Sequence, residues 1–389
     1  MKNYRFLQQK FNVNTYPDRQ LVLTKGDNVY LYDENNIKYL DMMSNYGVSI
    51  FGYGHKKIRS ALNRQLNNLS TLHGSFNNNI RAEASKLLVQ RCGNQYEQVY
   101  WSNSGTEAIE AALKFAVMAT GKKKFIVCEH AYHGKTLGAL SATDGDKYRH
   151  AYLPLLWDFV RIPFNDVKQL EKITDEQTAA FLVEPIQGEG GIIPPDNNYL
   201  NQVREICNKK NILLILDEIQ SGTGRTGYFL ASQEQNIQAD IVCLGKGLAG
   251  GIPIGATVVN SKVSVKITKN SHTSTLGGNP LACAGVIAIL NLLDNKLLNH
   301  IKEIGSYFIN SLKNIKSDKI MQARGKGLMV GIVVAEDKRN RLLKLMQDHH
   351  ILVISAGKDV VRFLPPYIIE KHHIDFVIKE INNILDSEL

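Results

Sequence analysis

Two hydrophobic periods alternate along this chain. Continuous apolar runs at 125–128, 181–183, 212–216 and Ile241–Leu244 read as buried strands. Elsewhere apolar residues recur at three- and four-residue steps, as at Ile109, Ala112, Leu113 and Ala116. That period predicts helices over 57–69, 108–120, 201–208, 281–293 and 340–349. A two-residue alternation over 21–40 predicts short strands, with turns at Lys25-Gly26-Asp27 and at Asp33-Glu34-Asn35-Asn36. Apolar strands alternating with helices are the pattern of a mostly parallel sheet covered on both faces. Beyond the 281–293 helix the style shifts to short strands and helices, including 324–332, 351–354 and 360–366, so a domain boundary is expected there.

The ends of the apolar runs carry the chemistry. The run 212–216 ends in the adjacent acids Asp217 and Glu218, and Ile241–Leu244 delivers Lys246 between two glycines. Ligands of open α/β sheets sit at strand ends. An acid and a lysine placed there together suit an acid that holds a pyridinium ring and a lysine that condenses with a carbonyl. The run 125–128 leads into Glu129-His130-Ala131-Tyr132-His133-Gly134-Lys135-Thr136, where an aromatic residue is suited to covering a flat ring. The two histidines there lack an HExxH pattern or a cysteine partner, so no metal site is expected. The run 181–183 leads into Glu184-Pro185-Ile186-Gln187-Gly188-Glu189-Gly190-Gly191. At 99–107 a strand, a small-residue turn and a helix start follow one another, with Ser104 as cap and Glu107 three residues on. Unpaired amides at that helix start would cradle a phosphate; the same residues also serve simply to begin a helix. Gly- and Ser-rich segments at 40–49 and 52–55 have the composition of a loop that lines something.

Gly222-Thr223-Gly224-Arg225-Thr226-Gly227 matches the dinucleotide fingerprint GxGxxG, but Tyr228-Phe229 follow where a helix should open. The acids also precede the glycines instead of following about twenty residues later. A nicotinamide dinucleotide is therefore not expected.

Composition adds limits. The 389 residues are 44% apolar and 21% charged, ordinary for a globular enzyme large enough for two domains. No apolar run is long enough to span a membrane and the start of the chain lacks the apolar core of a signal peptide, so a cytoplasmic protein is expected. The five cysteines are scattered and odd in number, which suits reduced, buried thiols. Net charge is +9 and the pI is near 9.1. With lysines spread along the chain, that reads either as a solvated basic surface or as a surface for an acidic partner or substrate; no nucleic-acid or membrane partner is expected.

Together, VEPIQGEGG, LDEIQSGTGRTG and TLGGNPLA make the chain resemble the class III aminotransferases over nearly its whole length. These are fold type I enzymes dependent on pyridoxal 5'-phosphate. The resemblance implies an α/β fold with a large, mostly parallel sheet domain over 46–285, a smaller α+β C-terminal domain over 286–389, and an N-terminal segment, 1–45, packing with the smaller domain. It implies that Lys246 is the lysine bonded to the cofactor and that Asp217 pairs with the pyridine nitrogen. Ser104, Gly105 and Thr106 would hold the phosphate, Tyr132 would stack on the ring, and Gln220 would lie near the ring hydroxyl. His133 and Glu184 would complete the cofactor site. Thr275 would reach the phosphate of a neighbouring subunit, which implies a homodimer with shared active sites.

For substrate, Glu189 and Arg362 resemble the family's carboxylate switch, in which an arginine binds the α-carboxylate of glutamate or 2-oxoglutarate and a glutamate covers it when the donor presents a terminal amine. The chain is most similar to N-acetylornithine aminotransferases and to enzymes acting on lysine or ornithine precursors held by an acidic amino-group carrier protein, in arginine or lysine biosynthesis. Those enzymes usually have arginine at the position of Lys135, which binds the donor's far carboxylate. A lysine there resembles putrescine-type diamine aminotransferases. Tyr46 stands where ornithine δ-aminotransferases carry a specificity tyrosine, with Tyr16 at the same end, so free ornithine or 4-aminobutyrate is a third expectation.

Overall fold

The computed structural model describes residues 3–387. Fifteen strands are formed among them: β1 Leu23–Asp27, β2 Tyr30–Asp33, β3 Lys38–Asp41, β4 Tyr96–Ser102, β5 Lys124–Cys128, β6 Asp158–Ile162, β7 Thr178–Val183, β8 Leu213–Asp217, β9 Ile241–Leu244, β10 Gly255–Asn260, β11 Ile320–Lys326, β12 Met329–Val334, β13 Ile351–Leu352, β14 Ile354–Ala356 and β15 Val360–Phe363. The central sheet runs β4-β10-β9-β8-β7-β5-β6. Strands β9, β8, β7, β5 and β6 pair in parallel, whereas β10 runs antiparallel to both its neighbours.

The apolar runs are continuous because this sheet is buried on both faces. Ile126, Phe181, Val183, Leu214, Leu216, Val242 and Leu244 join one core cluster. Their alternates Phe125, Val127, Leu182, Leu213, Ile215, Ile241 and Cys243 join another. Side chains alternate across a strand, so each strand feeds both cores and neither face can be polar. The helix Gly105–Thr120 covers one face with Ala108, Ile109, Ala111, Ala112, Leu113, Phe115 and Ala116. On the other side the helix Pro280–Leu292, capped by Asn279 and started by its proline, packs on the helices Lys56–Leu66 and Asn79–Cys92.

The antiparallel sheet β11-β12-β15-β14 lies under the helices Asn295–Lys313 and Glu336–Asp348. A third sheet runs β1-β2-β3-β13, in which β13 pairs in parallel with β3, Ile351 beside Leu40 and Leu352 beside Asp41. Two local expectations are corrected. Lys25-Gly26-Asp27 belongs to β1 and the chain turns after it, at Asn28, whose φ is 55°. The helix expected to reach residue 69 stops at Leu66, where its apolar face is exhausted: Ile58 and Gln65 are the buried positions and Leu66 is exposed. All five cysteines are free and buried.

Candidate active site

Parallel strands deliver their C-terminal ends to one edge, and that edge holds a cavity of about 280 Å³. Strand β8 brings Asp217 to its floor, the turn after β9 brings Lys246, the segment after β7 brings Glu184 and Glu189, the segment after β5 brings Tyr132, His133 and Lys135, and the turn after β4 brings Gly105 and Thr106.

Successive residues of a strand point to opposite faces, and this separates the two acids. Asp217 faces the cavity. Its Oδ2 accepts from His133 Nδ1 at 2.7 Å and its Oδ1 from the amide of Ile219 at 3.0 Å. Glu218 turns away, fully buried, and accepts from Ser221 Oγ at 2.6 Å and from the amides of Ala231 and Ser232 at 3.0 and 2.9 Å. Glu218 therefore pins the glycine-rich turn behind the site. Arg225 within that turn is buried and donates to the carbonyls of Leu328 and Pro365 at 3.1 and 2.6 Å, tying the central sheet to the C-terminal strands. The turn is scaffold in this structure, not a helix start.

Lys246 occupies the left-handed region at φ 47°, uncommon for a residue with a side chain. Its flanking glycines are there for space. A Cβ on Gly245 would stand 3.2 Å from the Gly105 Cα, and one on Gly247 would stand 2.6 Å from Ile50 Cγ2. Enclosed by protein, the lysine lines the cavity, and among the described residues its amine makes no hydrogen bond. Burial lowers its pKa; Asp217 pulls it back up and the Arg362 guanidinium pushes it down further.

Glu184 is also buried, accepting from the amides of Tyr132 and Gly188 at 3.1 and 2.9 Å. Burial pushes its pKa up to about 7, against relief from His133 and with a further push from Asp217. A carboxyl whose pKa is raised on folding binds a proton more tightly in the native state than in the unfolded chain. Its contribution to stability therefore falls as pH rises from its ordinary value near 4.5 through about 7, and is flat above. In thermal melts, the melting temperature of wild type relative to that of Glu184→Gln should fall between pH 5 and pH 8; an unchanged difference would show that Glu184 does not titrate in that window.

Ser104 caps the Gly105–Thr120 helix, its hydroxyl accepting from the Glu107 amide at 3.3 Å. Glu107 reaches back one residue further than a capping box requires, accepting from the Asn103 amide at 2.8 Å. Thr106 Oγ1 lies 2.8 Å from Thr136 Oγ1. The wall beside it is cut close: a Cβ on Gly134 would fall 2.1 Å from Thr106 Oγ1.

On the substrate side, Arg362 is fully buried in β15, and its Nη2 donates to Glu189 Oε2 at 2.8 Å and to the Ser355 carbonyl at 3.1 Å. Its Nη1 donates to Gln220 Oε1 at 3.2 Å. Lys135 is exposed at the mouth. Tyr46 lies outside the cavity lining, its ring 6.0 Å from the Arg362 guanidinium, on a segment where Ser44, Asn45 and Tyr46 all have positive φ. Tyr16 is 87% exposed in a separate groove beside the helix Tyr4–Phe11. Thr275 is exposed and lines a different cleft with Asn103, Glu107 and His272. The structure thus gathers most of the anticipated residues around one cavity and leaves Ser104, Tyr16, Tyr46, Thr275 and Arg362 outside its lining, Arg362 standing behind the lining residues Glu189 and Gln220.

Three lining or neighbouring residues were not anticipated: Gly134, Ile219 and Tyr148. Ile219 follows the two acids and is an isolated apolar position at a strand end, which was the available signal. Tyr148 donates to Glu189 Oε1 at 3.4 Å and had no motif to mark it.

Residues 12–385 match the family described as aminotransferase class III. The chain belongs to the class III aminotransferases. Like them, it is a pyridoxal phosphate-dependent enzyme of fold type I. It is 39% identical over 378 residues to the acetylornithine aminotransferase of Aquifex aeolicus, covering 96% of this chain and 99% of that protein. It is 40% identical to a protein of Pyrococcus furiosus provisionally named a LysW-aminoadipate semialdehyde/glutamate semialdehyde transaminase, covering 95% and 97%. Among solved structures, the ornithine aminotransferase of Toxoplasma gondii superposes with a TM-score of 0.95 at 31% identity, over 100% of this chain and 96% of that one. The acetylornithine aminotransferase of Elizabethkingia anophelis does so with a TM-score of 0.88 at 32% identity, over the full length of both.

The cavity of this aminotransferase fits the cofactor. A pyridine ring with a charged nitrogen needs a carboxylate, and Asp217 has one at the cavity floor. A phosphate needs amides and a hydroxyl at a helix start, and Gly105 and Thr106 provide them. The close-cut wall at Gly134 leaves that corner open where a side chain would fill it.

Proposed function

We propose that this enzyme moves the terminal amino group of N-acetylornithine, or of an ornithine- or lysine-type precursor linked to a carrier protein, to 2-oxoglutarate, giving glutamate in arginine or lysine biosynthesis. The observation that carries this reading is the Glu189–Arg362 pair, 2.8 Å long, beside a cavity that also holds Lys246. A guanidinium suits the α-carboxylate of 2-oxoglutarate bidentately. A donor that presents a terminal amine brings no carboxylate to that point, and Glu189 then satisfies the cation. The names of the Aquifex and Pyrococcus relatives support the same donor class.

When bound, pyridoxal phosphate supplies the carbonyl that takes up the amino group and the electron sink that lets the adjacent carbon lose a proton. In the proposed assignment, Asp217 holds the pyridine nitrogen, with His133 fixing its orientation, and Glu184 fixes the Tyr132 and Gly188 backbone beside it. Tyr132 covers the ring and excludes water, Gln220 stands near the ring hydroxyl, and Gly105 and Thr106 hold the phosphate. Lys246, its amine kept unprotonated and so nucleophilic by burial, takes the proton from the donor carbon and returns it at the other end of the transfer. Thr275 of a second copy is assigned to the phosphate, so a homodimer is the proposed working unit; its exposed position supports this, and light scattering would test it. The positive charge of the chain supports an acidic carrier as donor scaffold.

Lys135 is assigned to the donor's far carboxylate. Pairs involving an exposed lysine contribute about 0.2–1 kcal/mol, so Lys135→Ala should raise KM for N-acetylornithine up to about fivefold with kcat little changed. The lysine in place of the usual arginine also supports a second reading, a diamine donor such as putrescine. Mixing the enzyme with acetylornithine, ornithine, putrescine and 4-aminobutyrate, and following conversion of the cofactor's absorbance band, separates the two. Conversion by putrescine alone would reverse the order.

A further inference from the structure

Tyr148 sits on the short segment Asp146–Arg149, outside every motif that marks the site. Its ring meets Tyr132 edge-on, with centroids 5.5 Å apart and planes at 67°. The ammonium groups of Lys135 and Lys147 stand 5.6 and 4.5 Å from its centroid. Its hydroxyl donates to Glu189 Oε1 at 3.4 Å, while the other oxygen of that carboxylate accepts from Arg362 Nη2 at 2.8 Å. Glu189 is therefore held between two donors, one from β15 and one from the segment Asp146–Arg149.

The two donors differ in what they must do next. Arg362 keeps Gln220 and the Ser355 carbonyl as acceptors whether or not Glu189 stays, and among the described residues its buried Nε has no partner. A dicarboxylate arriving at Arg362 can displace Glu189 without stripping the guanidinium. Tyr148 has Glu189 as its hydrogen-bond acceptor, so displacement costs it that bond. Burial and the neighbouring Glu189 carboxylate push the Tyr148 phenol up to about 12, which keeps it a donor throughout the neutral range.

We propose that Tyr148 is a positioning residue of the carboxylate switch: by holding Glu189 against Arg362 it favours amino donors, which bring no carboxylate to that point, over dicarboxylates, which need the guanidinium uncovered. This rests on the reading of Glu189 and Arg362 as a switch. At 3.4 Å the bond is long, so the bias is a few-fold and not a block.

Glutarate tests this by equilibrium binding, since it carries both carboxylates of 2-oxoglutarate but no carbonyl to react. Calorimetric titration of the holoenzyme would compare wild type, Tyr148→Phe, Glu189→Ala and the double variant. Phenylalanine keeps the ring contacts with Tyr132 and the lysines. Tyr148→Phe should bind glutarate about threefold more tightly and Glu189→Ala about tenfold or more, with no added effect of Tyr148→Phe once Glu189 is gone. In single turnovers, Tyr148→Phe should slow the half-reaction with the amino donor and speed that with glutamate. A merely structural defect would slow both, and that result would overturn the proposal. A Tyr148→Phe effect that persists without Glu189 would overturn it as well. If Glu189→Ala tightens glutarate binding and Tyr148→Phe does not, the Tyr148 assignment fails while the switch stands; if Glu189→Ala leaves it unchanged, the switch itself fails.

Discussion

Replacing Lys246 with alanine is expected to lower turnover by about 10²–10⁴-fold or more, the largest effect of any single substitution here. Lys246 lines the cavity, and among the described residues its amine has no hydrogen-bond partner. No neighbour replaces it as a base at the same point: Lys135 is exposed at the mouth, and Arg362 is held by Glu189 and Gln220. Alanine introduces no new backbone cost, because the left-handed φ of 47° strains any residue with a Cβ alike. Melting temperature should thus change little while activity is lost, which distinguishes a chemical defect from misfolding. Borohydride treatment with pyridoxal phosphate followed by intact-mass measurement gives a second readout: wild type should gain one cofactor mass at Lys246 and the variant none. Turnover near wild type in the alanine variant would remove Lys246 from its proposed role.

Asp217→Asn ranks second. It exchanges a carboxylate for an amide of the same shape, and the surroundings punish the exchange twice. Hydrogen bonds to charged groups contribute about 1.5–3 kcal/mol, so in the proposed role, facing the pyridine nitrogen, loss of the charge should weaken cofactor binding and slow turnover by about 10- to 100-fold each. The second penalty is local. Both oxygens of Asp217 accept, one from the Ile219 amide at 3.0 Å and one from His133 Nδ1 at 2.7 Å. An asparagine can satisfy one of these donors and must present its own N–H to the other. If it turns the N–H toward His133, the imidazole proton moves to Nε2, a buried atom with no partner. Equilibrium dialysis of the cofactor and a steady-state assay read the two effects separately, and wild-type cofactor affinity in the variant would argue that Asp217 does not face the pyridine nitrogen.

The contrast between Asp217 and Tyr148 marks how far the sequence could be read. Asp217, Glu184 and Lys246 were legible because parallel strands buried on both faces are written as unbroken apolar runs, and polar residues directly after such runs have to lie along one edge of the sheet. Glu218 shows the limit of that rule: the same strand end supplied two acids, and only the alternation of the strand decides which one faces the cavity and which pins a turn. Arg362 lies on a strand of another sheet, 173 residues from Glu189, and no local pattern links them; a resemblance to a family supplied the link. Tyr148 lies 41 residues before Glu189 in a segment with neither periodicity nor motif, so its contact exists only after the tertiary fold is complete. The two ends of the expected substrate site, Tyr16 and Tyr46, lie outside the cavity lining of this single chain, where no sequence period could have placed them.

The pairing of β3 with β13 has a consequence for how the enzyme comes to exist. It joins Leu40 to Ile351, and the neighbouring Ser44 hydroxyl donates to the Leu364 carbonyl at 2.5 Å, so the segment carrying Tyr46 is fastened to strands more than three hundred residues later in synthesis. Contacts of such sequence separation form slowly, since the loop they close is long. The central sheet can assemble while the chain is still growing on the ribosome, because β4 to β10 are contiguous. Asp217 and Lys246 can therefore be in place before the guanidinium of Arg362 has been made. The half of the site proposed to hold the cofactor matures early, and the half proposed to select among amines and acids arrives with the last strands.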